Sequence, residues 1–546
     1  MKTSNNTKFS LIGLVAFTTV NATTLTKPNI MVVLVDDMGY SDIGCYGGEI
    51  NTPNIDKLAK TGLRYTQFYN GARSCPTRAS LITGLFPHDA GIGWMTDRNL
   101  GYDGYVGDLS DQCTTIPEVL KPVGYSTYMA GKWHVVRVQD AKQDGNKKNW
   151  PLQRGFDKFF GTIEGAGNYW NPHTLKMGND SIPAEKSFFY TDKIADYSID
   201  CLNQHAKEKK NDPFFMYVAF TAPHWPLQAR PKTIKKYENR YKGGWDNLRE
   251  ERYQRMIKLG IISPNWKLSP RDTGSKSWES LSAQEKKLSQ KRMAIYAAMV
   301  DEIDQALGRI VAILKKNKQL DNTLILFLSD NGACAENISQ GDKSIEALGT
   351  NKSFESYRLP WANASNTPFR LFKHWMHEGG ISTPLIAHWG NGIKQQGELR
   401  KQPFYLIDIM ATCVQMSGAT YPALRNEKPI PLMEGISLTT SFDNSPQTER
   451  YMFWEHEANC AARKGKWKIV RKASYTYPFE TNWQLYDMEA DRTEQNDVAA
   501  NYPEMVTQMA AAWTNWATTH KVFPLDGRIH DTRIKNPIFN FPIINN

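Results

Sequence analysis

Two apolar runs, far apart in the chain, restrict its fold more than any other feature. Asn29-Ile30-Met31-Val32-Val33-Leu34-Val35 and Thr323-Leu324-Ile325-Leu326-Phe327-Leu328-Ser329 are continuous and lack the polar alternation of a strand with one wet face. Runs of this kind form strands buried on both faces of a parallel sheet, so the fold class expected is α/β. Each run ends in a pair of short oxygen-bearing side chains, Asp36-Asp37 and Asp330-Asn331. Either pair alone reads as a cap for the following helix. Delivered together at the carboxyl ends of two buried strands, they read as two halves of one hard-cation site.

The same plan recurs between them. Gly124 to Ala130 is an apolar strand leading to Gly131-Lys132-Trp133-His134, and Pro213 to Phe220 leads to Thr221-Ala222-Pro223-His224-Trp225-Pro226. Ligands of open α/β sheets gather outside the carboxyl ends of strands, so these basic and imidazole groups can converge on one crevice. A lone histidine after a strand is more often structural, and spacing alone does not select His134 or His224.

Pro231 to Gln290, polar and dotted with tryptophan, reads as a long insertion over the site. Arg292 to Lys316 is expected to be a helix, with Met299, Ile303, Leu307, Ile310 and Leu314 on its buried face and Asp301, Glu302 and Lys315 outside it. Lys373 lies in a loop ahead of a further strand, Thr383 to Trp389, and a solvated lysine is the ordinary reading there. Residues 439–450 form a polar, turn-rich linker. Tyr451–His456, Trp467–Arg471 and Trp483–Asp487 then read as short strands, and Pro503–Thr518 as a helix, which together suggest a small α+β unit.

The segment Ser74-Cys75-Pro76-Thr77-Arg78-Ala79-Ser80-Leu81-Ile82-Thr83-Gly84 carries the most chemistry. Pro76 suits the first turn of a helix, which puts Ser74 at or just before the N-cap. Arg78 follows four residues later, so a hydroxyl and a guanidinium can share the helix end that favours an anion. An ordinary capped helix with a surface arginine remains the plain alternative.

These residues resemble the signature of the formylglycine-dependent sulfatases, in which Cys or Ser is followed by x-Pro-x-Arg and later Thr-Gly. In that register the key position is Ser74, because Cys75 would put Pro76 and Arg78 one residue too close. The resemblance, which covers nearly all of the chain after its first residues, implies an alkaline-phosphatase-like α/β domain with a central, mostly parallel sheet. It implies that Ser74 is oxidised to formylglycine, whose hydrate has one oxygen to attack sulfur and a second whose deprotonation expels sulfate. The family's metal ligands fall on Asp36, Asp37, Asp330 and Asn331, with residue 74 as a further ligand; the metal implied is Ca2+, with Mg2+ second. Sulfate contacts fall on Arg78, Lys132 and Lys373, the base on His134 and the acid on His224. The stretch from Asn363 to Lys373 looks most like the arylsulfatase branch, many of whose members act on sulfated sugars. Serine in the key position implies maturation by a radical formylglycine-generating enzyme. The expected substrate is a sulfated carbohydrate or aryl sulfate. A phosphonate or phosphodiester hydrolase of the same superfamily and a non-catalytic binder of sulfated glycans are the alternatives. Trp94, Asp97, Arg98, Tyr169, Trp170, His173 and Trp361 flank the motifs and are candidates for contact with a sugar ring, or for packing.

Composition agrees with this reading. Residues 1–22, with Lys2 and Lys8 ahead of the apolar run Leu11 to Phe17 and a small-residue pattern ending at Ala22, read as a secretory signal, so a secreted or periplasmic enzyme is expected. That run is far short of the roughly 20 apolar residues of a membrane span. The catalytic domain is expected over 23–438 and the α+β unit over 451–546. The formal charge of the 546-residue chain is +10, and its basic residues are spread, which argues against nucleic acid and for anionic substrates. Seven cysteines without C-x-x-C spacing indicate neither a zinc site nor a disulfide framework.

Overall fold

In the computed structural model, which describes Met1 and residues 27–473 and 481–525, both apolar runs are central strands of one eleven-stranded sheet. The cleavage site expected near Ala22 lies outside the described residues. Seven strands position the site: β1 (Asn29–Val35), β2 (Leu63–Tyr69), β3 (Ser126–Lys132), β4 (Lys158–Thr162), β5 (Phe214–Ala219), β6 (Thr323–Ser329) and β7 (Ser382–His388). Their spatial order is β2-β7-β6-β1-β5-β3-β4. β6, β1, β5, β3 and β4 are parallel, while β7 is antiparallel to both its neighbours. Every residue of β1 and β6 is buried, which explains why neither run alternates.

Register turns this topology into a site. Val35 lies opposite Ser329, so the next residues of the two strands, Asp36-Asp37 and Asp330-Asn331, emerge side by side. On the other flank Leu34 lies opposite Ala219, and Gly131 of β3 is paired with Ala219 in turn. Gly131 sits at φ +113°, and a Cβ there would lie 1.9 Å from the Ala219 carbonyl oxygen, so only glycine lets Lys132 follow so closely.

Three helices need labels: α1 (Ser74–Thr83), α2 (Ala283–Lys316) and α3 (Pro503–Thr519). α2 begins at Ala283, not Arg292, because Ser282 and Glu285 form a capping box ahead of the apolar stripe. Its expected apolar face is buried, but Asp301 and Glu302, placed outside that face, are buried too. The chain after Ala229 folds over them: Lys236 Nζ and Tyr237 Oη donate to Asp301 Oδ2 at 2.9 and 2.7 Å, and the Arg230 amide donates to Glu302 Oε1 at 2.9 Å. The expected insertion thus helps to wall α2. Its helix Gly244–Lys258 also reaches the loop after β1, where Arg252 donates to Asp42 at 2.6 Å and Asp42 accepts from the Gly39 amide at 2.8 Å.

The second sheet is antiparallel and four-stranded: β8 (Tyr451–His456), β9 (Asn459–Lys464), β10 (Trp467–Arg471) and β11 (Gln484–Asp487). β9 was not among the expected strands. Glu457 and Ala458, at φ 54° and 60°, make the two-residue turn that joins it to β8. One apolar cluster runs from Val32 and Leu34 of β1 to Trp454, Ile469 and Trp513, so the two sheets share a core. Among the described residues no helix is long and apolar enough to cross a membrane.

Candidate active site

α1 starts where β2 has turned over, and Ser74 is its first residue, with extended Arg73 as the N-cap. That is one step further into the helix than expected. Pro76 still fits, because the first N–H groups of a helix have no intrahelical partner to lose. Ser74 Oγ donates to Asp330 Oδ2 at 2.7 Å and accepts from Lys132 Nζ and from Arg78 Nε, both at 3.1 Å. Arg78 spans the cluster, donating to Asp330 Oδ2 at 2.9 Å and to the Lys132 carbonyl at 3.1 Å, and lying 3.3 Å from Asp36 Oδ2. Lys132 Nζ also makes a short ion pair with Asp36.

The other half forms around Asp37, which sits at φ 67° just past β1. Lys373 Nζ lies 2.8 Å from Asp37 Oδ1, and Asn331 Nδ2 donates to the same oxygen at 2.6 Å. His224 Nε2 is 3.5 Å from Asp37 Oδ2. His224 Nδ1 donates to the Trp225 carbonyl at 2.6 Å, which leaves Nε2 bare when the ring is neutral. His134 is held at φ 57° against Gly165, where a Cβ would lie 2.3 Å from its Cε1. Ser74, Arg78, Lys132, His224, Lys373, Asp36, Asp37, Asp330 and Asn331 thus form one connected, buried cluster, with His134 beside it.

The charges shift one another. Burial would raise the Asp36 carboxyl, but attraction from Lys132, His224 and Arg78 outweighs it and holds Asp36 below the ordinary value. Asp330 is raised, by burial and by repulsion from Asp36. Burial, then repulsion from Lys132 and Arg78, keeps His134 well below its usual value, so the ring is neutral. His224 is lowered by burial too, against the pull of Asp37. Burial would lower Lys373, but attraction from Asp37, joined by Cys334 and Glu336, outweighs it and raises the lysine.

The donor set suits a hard cation. Asp36 and Asp37 present carboxylate oxygens within 4.8 Å of one another, with a His224 nitrogen at the same range that a hard cation does not need, and Asn331 Oδ1 is buried with no hydrogen-bond partner among the described residues. Asn331 Oδ1 is the kind of oxygen a cation would satisfy.

Some neighbours escaped the sequence reading. Arg73 pairs with Glu336 at 2.9 Å, and Glu336 accepts from the Trp225 indole at 2.7 Å. Glu336 stays ionised in spite of burial, held well below its usual range by Lys373, Arg73 and His224. The only signals were position: Arg73 precedes Ser74, and Glu336 shares the loop after β6. The candidate ring contacts fare differently. Trp361 is core, packed on Tyr241 and Trp245 at 5.6 and 5.4 Å. Tyr169 is buried with its hydroxyl on the His224 carbonyl, and Trp94 is buried with its indole on Glu457. Trp170 packs on Phe189. Asp97 and Arg98 face each other in solvent, and exposed His173 pairs with Glu164.

Residues 28–419 match the sulfatase family model, and residues 369–517 match a model described as N-sulphoglucosamine sulphohydrolase, C-terminal. The chain belongs to the sulfatase family and is a sulfuric ester hydrolase. It is 34% identical over 436 residues to an arylsulfatase of Klebsiella aerogenes, covering 76% of this chain and 91% of that protein. It is 33% identical over 528 residues to an uncharacterized sulfatase of Schizosaccharomyces pombe, covering 89% and 93%. Among solved structures, Ps i-CgsB in complex with k-i-k-neocarrahexaose is similar, with TM-score 0.64, 25% identity and coverage of 90% and 93%.

Proposed function

We propose that this sulfatase removes sulfate from sulfated sugars and that Ser74, oxidised to formylglycine, is its working residue. The observation that carries the reading is the setting of Ser74 Oγ: it opens a helix and lies within hydrogen-bond reach of Arg78, Lys132 and Asp330. The sugar class is supported by the carbohydrate bound to Ps i-CgsB, by analogy. Oxidation of Ser74 would fall to a radical formylglycine-generating enzyme, and a secreted or periplasmic location suits such a substrate.

The formylglycine hydrate supplies one oxygen that attacks sulfur and a second that, once deprotonated, expels sulfate. Asp36, Asp37, Asp330 and Asn331, with residue 74, would hold a divalent cation, Ca2+ first and Mg2+ second, which would supply positive charge to an anionic ester. Charge balance explains the need for that cation. Asp36, Asp37 and Asp330 are matched by Arg78, Lys132 and Lys373, so the protein alone offers no surplus of positive charge to an anionic ester. Arg78, Lys132 and Lys373 orient the sulfate. Neutral His134 takes a proton from residue 74. His224 gives one to the departing sugar oxygen, after the negative charge of the bound ester raises its affinity for that proton.

The test is turnover of a panel of sulfated monosaccharides, an aryl sulfate and an aryl phosphate diester by wild type and Ser74→Ala. Sulfate esters should be hydrolysed and the variant inactive. Faster turnover of the phosphate diester, or an active variant, would overturn the reading.

A further inference from the structure

The indole of Trp225 is fixed at three points beside His224, the histidine proposed above as the acid. Its Nε1–H donates to the buried Glu336 at 2.7 Å, its ring lies 4.4 Å from the His224 ring at 43°, and Phe354 meets it edge-on at 5.6 Å. Its backbone carbonyl also receives His224 Nδ1–H. With its only polar atom satisfied, the rest of the indole is an apolar plane, and unlike Trp94, Tyr169 and Trp361 it is not fully buried. Phe354 is partly exposed as well and is set edge-on against the indole, so the two rings make an angled aromatic wall with the indole as its flat part. A rigid ring loses little freedom when a ligand packs on it, which makes such a wall an efficient contact for the apolar face of a sugar.

We infer that Trp225 is a specificity-determining residue of the substrate pocket, stacking on the ring that bears the sulfate while Phe354 extends the wall. This rests on the sugar-sulfate reading above. The anion pocket itself, built from Arg78, Lys132 and Lys373, makes no use of the indole. Loss of Trp225 should therefore weaken binding of the ring and spare binding of free sulfate.

The experiment measures kcat and KM for wild type, Trp225→Phe and Trp225→Ala on a sulfated monosaccharide, together with the inhibition constant of inorganic sulfate, which has no ring. Trp225→Ala should lower kcat/KM about five- to tenfold, mostly through KM, the scale of an aromatic contact. Trp225→Phe should recover most of the loss, and the sulfate constant should stay within about twofold in both variants. An unchanged KM in Trp225→Ala, or a sulfate constant that rises as much as KM, would overturn the inference. If wild type ignores every sugar sulfate, the sugar reading falls on its own, and the same comparison on a ring-bearing aryl sulfate decides whether Trp225 holds a ring.

Discussion

Ser74 Oγ donates to Asp330 Oδ2 across 2.7 Å, joining the first turn of α1 to the residue that follows β6. The same Asp330 oxygen also accepts from Arg78, so one carboxylate ties together the residue proposed to be modified, the arginine proposed to bind sulfate and the proposed cation. All three roles depend on the register that sets β6 beside β1.

Asp330→Asn keeps the shape of that link and removes its charge. After chelation, added Ca2+ should raise the melting temperature of wild type by mass action, equivalent to about 2.7 kcal/mol at a hundredfold excess over Kd. The variant should show little of this rise and should lose activity. Thermal unfolding against Ca2+ concentration makes the measurement. An equal rise in the variant, or stoichiometric zinc in active, natively purified enzyme, would contradict the assignment.

His224 and His134 should separate by substrate. A general acid matters little for an activated nitrophenyl leaving group and is typically worth about two to four orders of magnitude for a poor one such as a sugar alkoxide. His224→Ala should therefore cut kcat on a sugar sulfate far more than on an activated aryl sulfate. In the proposed mechanism His134 acts after the leaving group has gone, so His134→Ala should slow both substrates to a similar limiting rate. Equal losses on both substrates for His224→Ala would remove its role as acid.

Much of the site was legible because its information is local. Asp36-Asp37 and Asp330-Asn331 each end an apolar run, and parallel pairing of the runs brings the pairs together. Lys373 was not legible by pattern. It sits in a loop with Leu371 and His374 at positive φ, and long-range bonds, among them that from its amide to the Ala333 carbonyl, lay that loop along the Asn331 turn. β9 escaped because Ala461 and Ala462 carry little strand signal and the turn before it, Glu457-Ala458, has neither glycine nor asparagine. Trp361 looked available until Tyr241 and Trp245, more than a hundred residues earlier, closed over it.

Glu302 gives a pH test of the wall over α2. Burial pushes its carboxyl up from 4.5 to about 7, against the hydrogen bond from the Arg230 amide. Below the unfolded value the group is protonated in both states and costs nothing. As pH rises through the window from 4.5 to about 7 the unfolded chain releases the proton first, and stability falls. Glu302→Gln keeps an acceptor for Arg230 and cannot ionise. Denaturant unfolding should find it close to wild type at low pH and more stable at pH 8, by up to about 3 kcal/mol. A difference that does not change with pH would show that Glu302 does not titrate in that window.

The central claim is that Ser74, and not Cys75, becomes the aldehyde. The measurement is mass spectrometry of the tryptic peptide Ser74-Cys75-Pro76-Thr77-Arg78 from active enzyme made in its native host. The account expects a peptide lighter by two hydrogens, or its hydrate, with the change at residue 74 and the Cys75 thiol intact. Fully active enzyme with an unmodified Ser74 would contradict it.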